Sequence, residues 1–253
     1  MRYFIELSYN GTGYHGWQMQ VADKSVQEVL QTGLKYKMDL NEKVTGCGRT
    51  DTGVHARQFF AHFNHPISFT NEELNKTVYK LNGYLPKDIS AFRIFRVKDD
   101  AHARFDAISR TYKYYINQLK NPFSGSFAWT YRNEFDVAKM NKAASVLLEY
   151  SDFTSFAKLH TDVNTNNCKI TDAGWEQENG QLIFTITANR FLRNMVRAIV
   201  GTLVEVGRGN ITTQDVHKII QSKDRRNAGI SVPAKGLFLE AVSYDWGKIV
   251  GDF

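Results

Sequence analysis

Apolar and polar residues alternate along several short stretches of the chain, and each such stretch predicts a strand half-buried in a sheet. They fall at residues 3–9, 58–63, 89–97, 111–117, 170–176, 182–187 and 236–244. Between them the apolar spacing becomes helical. Ser25-Val26-Gln27-Glu28 has the form of a capping box, with Val29, Leu30 and Leu34 following on one face. Thr70-Asn71-Glu72-Glu73 repeats the signal ahead of Leu74, Val78 and Leu81. Residues 137–149 carry Met140, Ala144, Leu147 and Leu148 at helical spacing. A long helix is expected over 191–206 and a shorter one over 214–221. Glu178-Asn179-Gly180 separates two strand-like runs closely enough to be a hairpin turn. Strands that neighbour one another in sequence favour α+β with a mostly antiparallel sheet over a doubly wound parallel one. The element pattern before Val97 loosely recurs after Tyr112, so two related halves are expected, though without a clear sequence repeat.

Composition adds limits. A chain of 253 residues, 42% apolar and 23% charged, is ordinary for a globular protein and long enough to bury a substantial core. No apolar run approaches bilayer length, and Glu6 interrupts the N-terminus where a signal peptide needs an unbroken apolar stretch. The expectation is a soluble, cytoplasmic protein with no membrane association. Cys47 and Cys168 lie far apart and form no CxxC pair, which argues against a disulfide framework or a zinc knuckle. His62 and His65 suit a strand edge better than a ligand set, so no metal is expected. Lys and Arg number 32 against 26 Asp and Glu, a net charge of +6. That balance fits a polyanionic partner such as nucleic acid, and it equally fits an ordinary, mildly basic protein. The placement of the charges has to decide.

One motif is misleading. Gly11-Thr12-Gly13-Tyr14-His15-Gly16 matches GxGxxG behind a strand, with Asp39 near the spacing of a ribose-binding acid. A dinucleotide site needs a helix that starts at the third glycine and holds the pyrophosphate at its N-terminus. Here Trp17-Gln18-Met19-Gln20 follows, and the helix signal waits until Ser25. The segment reads as a tight turn presenting Tyr14, His15 and Trp17, either to the core or to a stacked nucleotide.

The richest stretch is Gly46-Cys47-Gly48-Arg49-Thr50-Asp51-Thr52-Gly53-Val54-His55-Ala56. Three glycines bracket an arginine and an aspartate just before a strand, letting the backbone bend sharply and approach a ligand closely. An acid beside an arginine in such a turn is kept ionised by the positive charge. Asp51 is equally able to cap the turn through backbone amides, and residue chemistry alone leaves both readings open.

Arg49-Thr50-Asp51-x-Gly53-Val54-His55-Ala56 resembles the signature of the tRNA pseudouridine synthase A family, and the resemblance runs along nearly the whole chain. Tyr9-Asn10-Gly11-x-Gly13-Tyr14-x-Gly16-Trp17-Gln18 resembles the family's opening strand and loop. His102-Ala103-Arg104-Phe105-x-Ala107 and Arg110-x-Tyr112-x-Tyr114 resemble its middle segment. Asp152-Phe153-Thr154-Ser155-Phe156, Phe191 with Met195-Val196-Arg197-x-Ile199-Val200-Gly201, and Lys235-Gly236-Leu237 resemble its second half. Thr52 and Ala101 depart from the pattern, at positions that do not bear on the chemistry.

This resemblance implies a pseudouridine-synthase fold: two ferredoxin-like halves, residues 1–105 and 106–253, sharing a mostly antiparallel sheet with flanking helices and a central cleft. It implies a homodimer acting on tRNA, without metal or small-molecule cofactor, that isomerises uridines 38, 39 and 40 of the anticodon stem-loop. Such an enzyme detaches uracil, rotates it and rejoins it through carbon. The family pattern assigns the nucleophile to Asp51, attacking either the base or the ribose C1′, and sets Arg197 against it. Tyr112 matches the tyrosine that packs on the uracil, and Arg49 the arginine that fills the space of the flipped base. Arg110 and Arg193 are further candidates for substrate contact. Arg190, Arg193 and Arg197, spaced by three and four, are expected on one face of the helix over 191–206. Further basic residues gather at Arg93, Arg96, Lys98, Arg104 and Lys113, and again at Lys223, Arg225 and Arg226, as candidates for RNA phosphates. A non-catalytic tRNA-binding protein would need this basic surface but not Asp51. An unrelated hydrolase with an aspartate nucleophile would need Asp51 but not the arginines.

Overall fold

The first alternating stretch forms strand β1 (Arg2–Tyr9), in which Phe4, Ile5 and Leu7 are fully buried. In the computed structural model, which describes residues 1–158 and 165–251, the chain divides into two compact units. One comprises Met1–Ile108 with the C-terminal segment from Leu239; the other is Ser109–Phe238.

In the first unit β1 lies between β3 (His55–Asn64) and β4 (Ile89–Val97), antiparallel to both, and the strand order is β4-β1-β3-β9, with β9 at Leu237–Tyr244. Ile5 faces Ala61 on one side and Ile94 on the other. A two-residue strand, β2 (Thr45–Gly46), pairs with β3. Helix α1 (Val26–Met38) starts at Ser25 and α2 (Asn71–Asn82) at Thr70, each with a capping box in which the glutamate three residues on returns to the cap amide. Asp39 ends α1 in the left-handed conformation, a role for its short side chain quite different from ribose binding. Gly33 lets the helices meet: a Cβ there would stand 2.8 Å from a Leu81 methyl. The Tyr244 ring meets Phe4 and Phe60 edge to face in this unit's core, and Trp246 packs at a tilt against Phe60 and Tyr244.

The second unit has its own antiparallel strands. β5 (Ala107–Asn117) pairs with β8 (Gln181–Ala188), and β8 with β7 (Ile170–Glu178). The β7–β8 turn is the expected one, with Asn179 at φ 51° and Gly180 at φ 75°, the two left-handed residues of a tight hairpin. The short β6 (Trp129–Thr130) runs parallel to β5. Helices α3 (Val137–Val146), α4 (Met195–Gly207) and α5 (Thr213–Ser222) complete it, and α3 continues into a 3₁₀ turn at Leu147–Glu149. With α6 (Trp246–Ile249) in the first unit, the described residues hold six α-helices, and of the strand pairs named above all are antiparallel except β5–β6. The fold is α+β with a mostly antiparallel sheet.

The helix expected over 191–206 begins four residues later, at Met195. Asn194 stops it from extending backward: its φ is 66°, and its amide donates to Ser231 Oγ at 2.5 Å. The stripe of three helical arginines is therefore not formed. Only Arg197 lies on α4, while Arg190 and Arg193 belong to the chain leading into it.

His62 and His65 are core residues. His62 Nδ1 accepts from the Ala103 amide at 3.1 Å, and His65 Nδ1 from the Ile67 amide at 3.1 Å. No group of three or more possible metal-binding side chains occurs among the described residues, and none of their helices is long and apolar enough to cross a membrane. Cys47 and Cys168 are buried and not joined in a disulfide.

Candidate active site

In the first unit the glycine-rich segment after β1 is a clamp for the loop that carries Asp51. Gly11–Gly13 form one 3₁₀ turn. A Cβ on Gly11 would lie 2.0 Å from the Val54 carbonyl oxygen, and one on Gly16 would lie 2.3 Å from that of Thr50. Gly16 also has φ +84°, a left-handed conformation that only glycine adopts freely. The two backbones thus lie in contact, and hydrogen bonds tie them together. Gly11 N–H donates to His55 Nδ1 at 3.0 Å in a buried setting, and the Tyr9 and Thr50 hydroxyls bond at 2.9 Å. Gly53 N–H donates to the Tyr14 carbonyl at 3.2 Å, and Val54 N–H to the Asp51 carbonyl at 3.1 Å.

Tyr14 and Trp17 are buried, which leaves neither a face for a nucleotide. Tyr14 donates to Asp88 Oδ1 at 2.6 Å, and Trp17 stacks on Phe59 with ring centroids 4.1 Å apart. Burial and the neighbouring Asp88 carboxylate push the Tyr14 phenol well above the usual range, so it stays protonated as that donor. The clamp leaves Asp51 half-buried and Thr50 beneath it buried, with Arg49 exposed two residues away. Tyr9, Thr50 and His55 are the positioning residues that sequence reasoning passed over. They lie inside the matched motifs, but nothing in their spacing announces that they bond to one another.

Beside this loop is a cavity of about 160 Å³. Its buried lining includes Trp17 and Gln27, and its exposed lining includes Lys43, Arg49 and Arg104. Gln27 holds its walls in place, donating to the Val44 carbonyl at 2.7 Å and accepting from Gln18 Nε2 and the Met19 amide.

The second unit holds the remaining candidates. Tyr112 lies on β5 opposite Ile186 and meets Phe191 edge to face at 5.1 Å, a contact that fixes its ring plane. Tyr114, two residues on, is fully buried and donates to the Pro233 carbonyl at 2.9 Å, so it is a core residue. Burial raises its phenol far above the ordinary range, with Arg197 pulling in the opposite direction. Arg110 donates to the Asn189 carbonyl at 2.8 Å, at the end of β8. Arg193 is exposed just before α4.

Between Met195 and Val204 of α4, Arg197 is the one charged residue and the one that is not buried. Its Nε donates to the Val232 carbonyl at 2.7 Å, which fixes the stem of the side chain. The segment supplying that carbonyl lies hard against α4. A Cβ on Gly201 would fall 1.9 Å from the Ile230 oxygen, and Gly229 N–H bonds to Thr202 Oγ1 at 2.9 Å. Arg225 ties the same segment down through the Ala228 and Gly229 carbonyls and Ser231 Oγ, so its place is structural. Other expected phosphate-binding cations are paired with acids: Arg93 with Glu6 at 2.5 Å, Lys223 with Asp152 at 2.9 Å and Arg226 with Asp224 at 2.6 Å.

Comparison with known proteins sets these geometries in a class. A family profile described as tRNA pseudouridine synthase matches residues 143–245, which span β7, β8, α4 and α5. The similarity to individual proteins covers nearly everything. The tRNA pseudouridine synthase A of Bacteroides fragilis is 53% identical over 247 residues, 96% of each chain. That of Porphyromonas gingivalis is 52% identical over 246 residues, 96% of this chain and 97% of its own. The similarity extends to Thermoanaerobacter sp. strain X514, whose tRNA pseudouridine synthase A is 38% identical over 242 residues, 95% of this chain and 98% of its own. The chain belongs to the tRNA pseudouridine synthase A family of enzymes.

Proposed function

We propose that this protein isomerises uridine to pseudouridine at positions 38, 39 and 40 of the tRNA anticodon stem-loop, with Asp51 as nucleophile. The observation that carries the reading is the near-full-length similarity to proteins named tRNA pseudouridine synthase A. The Asp51 loop supports it, because a nucleophile needs a carboxylate held at a fixed place yet reachable, and this one sits half-buried on a loop fastened by buried bonds. In the reaction the N1–C1′ bond of the uridine breaks, the uracil turns, and a C5–C1′ bond forms. C5 releases its proton, N1 gains one, and the composition of the RNA is unchanged. No external oxidant or reductant is needed.

A uridine stacked in RNA is out of reach of any side chain, so the target is flipped out first. In this reading Arg49 takes the vacated space, Tyr112 packs on the uracil, and Arg197 is the ionic partner of Asp51. Arg110 and Arg193 contact the RNA backbone. The edge-to-face support of Tyr112 by Phe191 and the anchored stem of Arg197 suit groups that must hold still during the rotation. The finer reading of the fold belongs to the same proposal: two ferredoxin-like halves in a cytoplasmic homodimer, the bounds expected at 1–105 and 106–253 being modified by the C-terminal segment from Leu239, which belongs to the first unit.

The test of position is chemical mapping of pseudouridine in tRNA transcripts treated with the purified protein. Modification confined to residues 38–40 is expected. Pseudouridine formed only elsewhere in the tRNA would keep the reaction and discard the site.

A further inference from the structure

The loop at residues 101–106 displays a large apolar side chain that the reaction does not use. Phe105 is 74% exposed, although the loop that bears it is fastened at almost every residue. Ala101 O accepts from Arg2 at 2.8 Å, Ala103 N–H donates to His62, and the Tyr244 hydroxyl donates to the Ala103 carbonyl at 2.5 Å. His102 N–H donates to Asp106 Oδ2 at 2.7 Å, and Asp106 N–H returns to the His102 carbonyl at 3.0 Å. His102 Nδ1 accepts from the Arg104 and Phe105 amides at 3.1 and 3.3 Å. A loop this closely tied holds Phe105 outward by construction.

Only part of the ring is covered. His102 lies 4.2 Å from it between centroids, and the Arg104 guanidinium stands 5.6 Å from its centre. Arg104 is also one of the three cations lining the cavity beside the Asp51 loop, a cavity with no acidic side chain in its lining. A preordered aromatic face is thus joined through one arginine to a cationic notch. That is the pairing by which proteins hold a nucleotide of single-stranded or loop RNA: the base stacks on the ring and the phosphate meets the cations.

We propose that Phe105 is a stacking surface for one base of the bound RNA, with a backbone phosphate of that nucleotide or its neighbour held in the notch by Lys43 and Arg104. This rests on the reading of the chain as a tRNA-modifying enzyme. The base concerned is one that stays outside the catalytic site, so the contact positions the stem-loop and takes no part in bond exchange.

The full-length protein and a tRNA transcript test it, with the dissociation constant measured across a range of NaCl concentrations. Phe105→Ala is expected to raise it about ten-fold while leaving the slope of log affinity on log salt unchanged. Phe105→Trp should restore binding and Phe105→Leu should not, because stacking needs a ring rather than apolar bulk. Lys43→Gln and Arg104→Gln should each weaken binding and lower the salt slope by about one. Wild-type affinity in Phe105→Ala would overturn the proposal, as would full rescue by leucine. A change of oligomeric state in Phe105→Ala with unchanged tRNA affinity would also overturn it, assigning the ring to a protein contact. Tritium release from C5-labelled RNA by the wild type separates the two levels. Release together with normal binding by Phe105→Ala defeats the stacking surface alone, and no release defeats the reading beneath it.

Discussion

At the scale of single residues, the chemistry rests on side chains whose own role is to hold others. His55 is an example. Its Nδ1 receives the Gly11 amide in a place closed to water, so His55→Ala leaves a buried donor without an acceptor. The expected cost is about 1–3 kcal/mol, read from urea unfolding. It should be accompanied by a fall in kcat as the Asp51 loop loosens, whereas a change confined to KM would mean that His55 serves binding. His62 makes a second, pH-dependent prediction. Burial first, then the charges of His102 and Arg2, push its imidazole down to about 3. The unfolded chain therefore takes up a proton near the ordinary histidine value that the folded chain refuses. Stability from this residue is complete above about 6.5 and is lost as pH falls toward the folded value. The urea midpoint of the wild type should fall more between pH 7 and pH 4.5 than that of His62→Gln, and equal falls would contradict the assignment.

At the scale of elements, backbone contacts decide where the loops go. Gly16→Ala forces a positive-φ residue into the left-handed region and drives its Cβ into the Thr50 carbonyl. Gly48→Ala adds a Cβ with nothing within 4 Å. The first should cost at least about 2 kcal/mol and most of the activity, the second only a few tenths of a kcal/mol. Thermal denaturation with parallel rate measurements separates them, and similar losses in both would contradict the clamp.

Much of this architecture is readable in the sequence because it depends on local patterns. Ser25 and Thr70 announce α1 and α2 by their own capping chemistry, and Asn179-Gly180 can hardly be anything but a tight turn. The start of α4 is not readable, because Asn194 is held in its left-handed shape by Ser231, 37 residues away. The strands β2 and β6 have two residues each, too few to show any period. The candidate residues of the site are recognisable as motifs, since resemblance needs only their order. Their supports are not. That Gly11 meets Val54, or that Phe191 squares up Tyr112, follows from tertiary packing alone.

At the scale of the whole molecule, the net charge of +6 is a weaker guide to the RNA surface than the distribution of partners. Arg93, Lys223 and Arg226 already face carboxylates, and Arg225 is built into a turn, whereas Lys43, Arg49 and Arg104 line one cavity. Arg197 stands apart from both groups, the one charge in the buried stretch of α4 from Met195 to Val204, with its stem held by the Val232 carbonyl. If the proposed role is right, Arg197→Ala lowers the single-turnover rate by orders of magnitude and changes tRNA affinity little, as expected for a residue that acts on the chemical step. The reverse pattern, weak binding with a normal rate at saturation, would make it a docking residue.

The central claim is that Asp51 carries out uridine isomerisation. The most direct measurement is tritium release from tRNA labelled at uridine C5, with the wild type and Asp51→Asn compared at saturating enzyme. The account predicts release by the wild type and none above background by Asp51→Asn, whose binding of the same tRNA is retained. Full release by Asp51→Asn would contradict it, as would a folded, tRNA-binding wild type that releases no tritium at all.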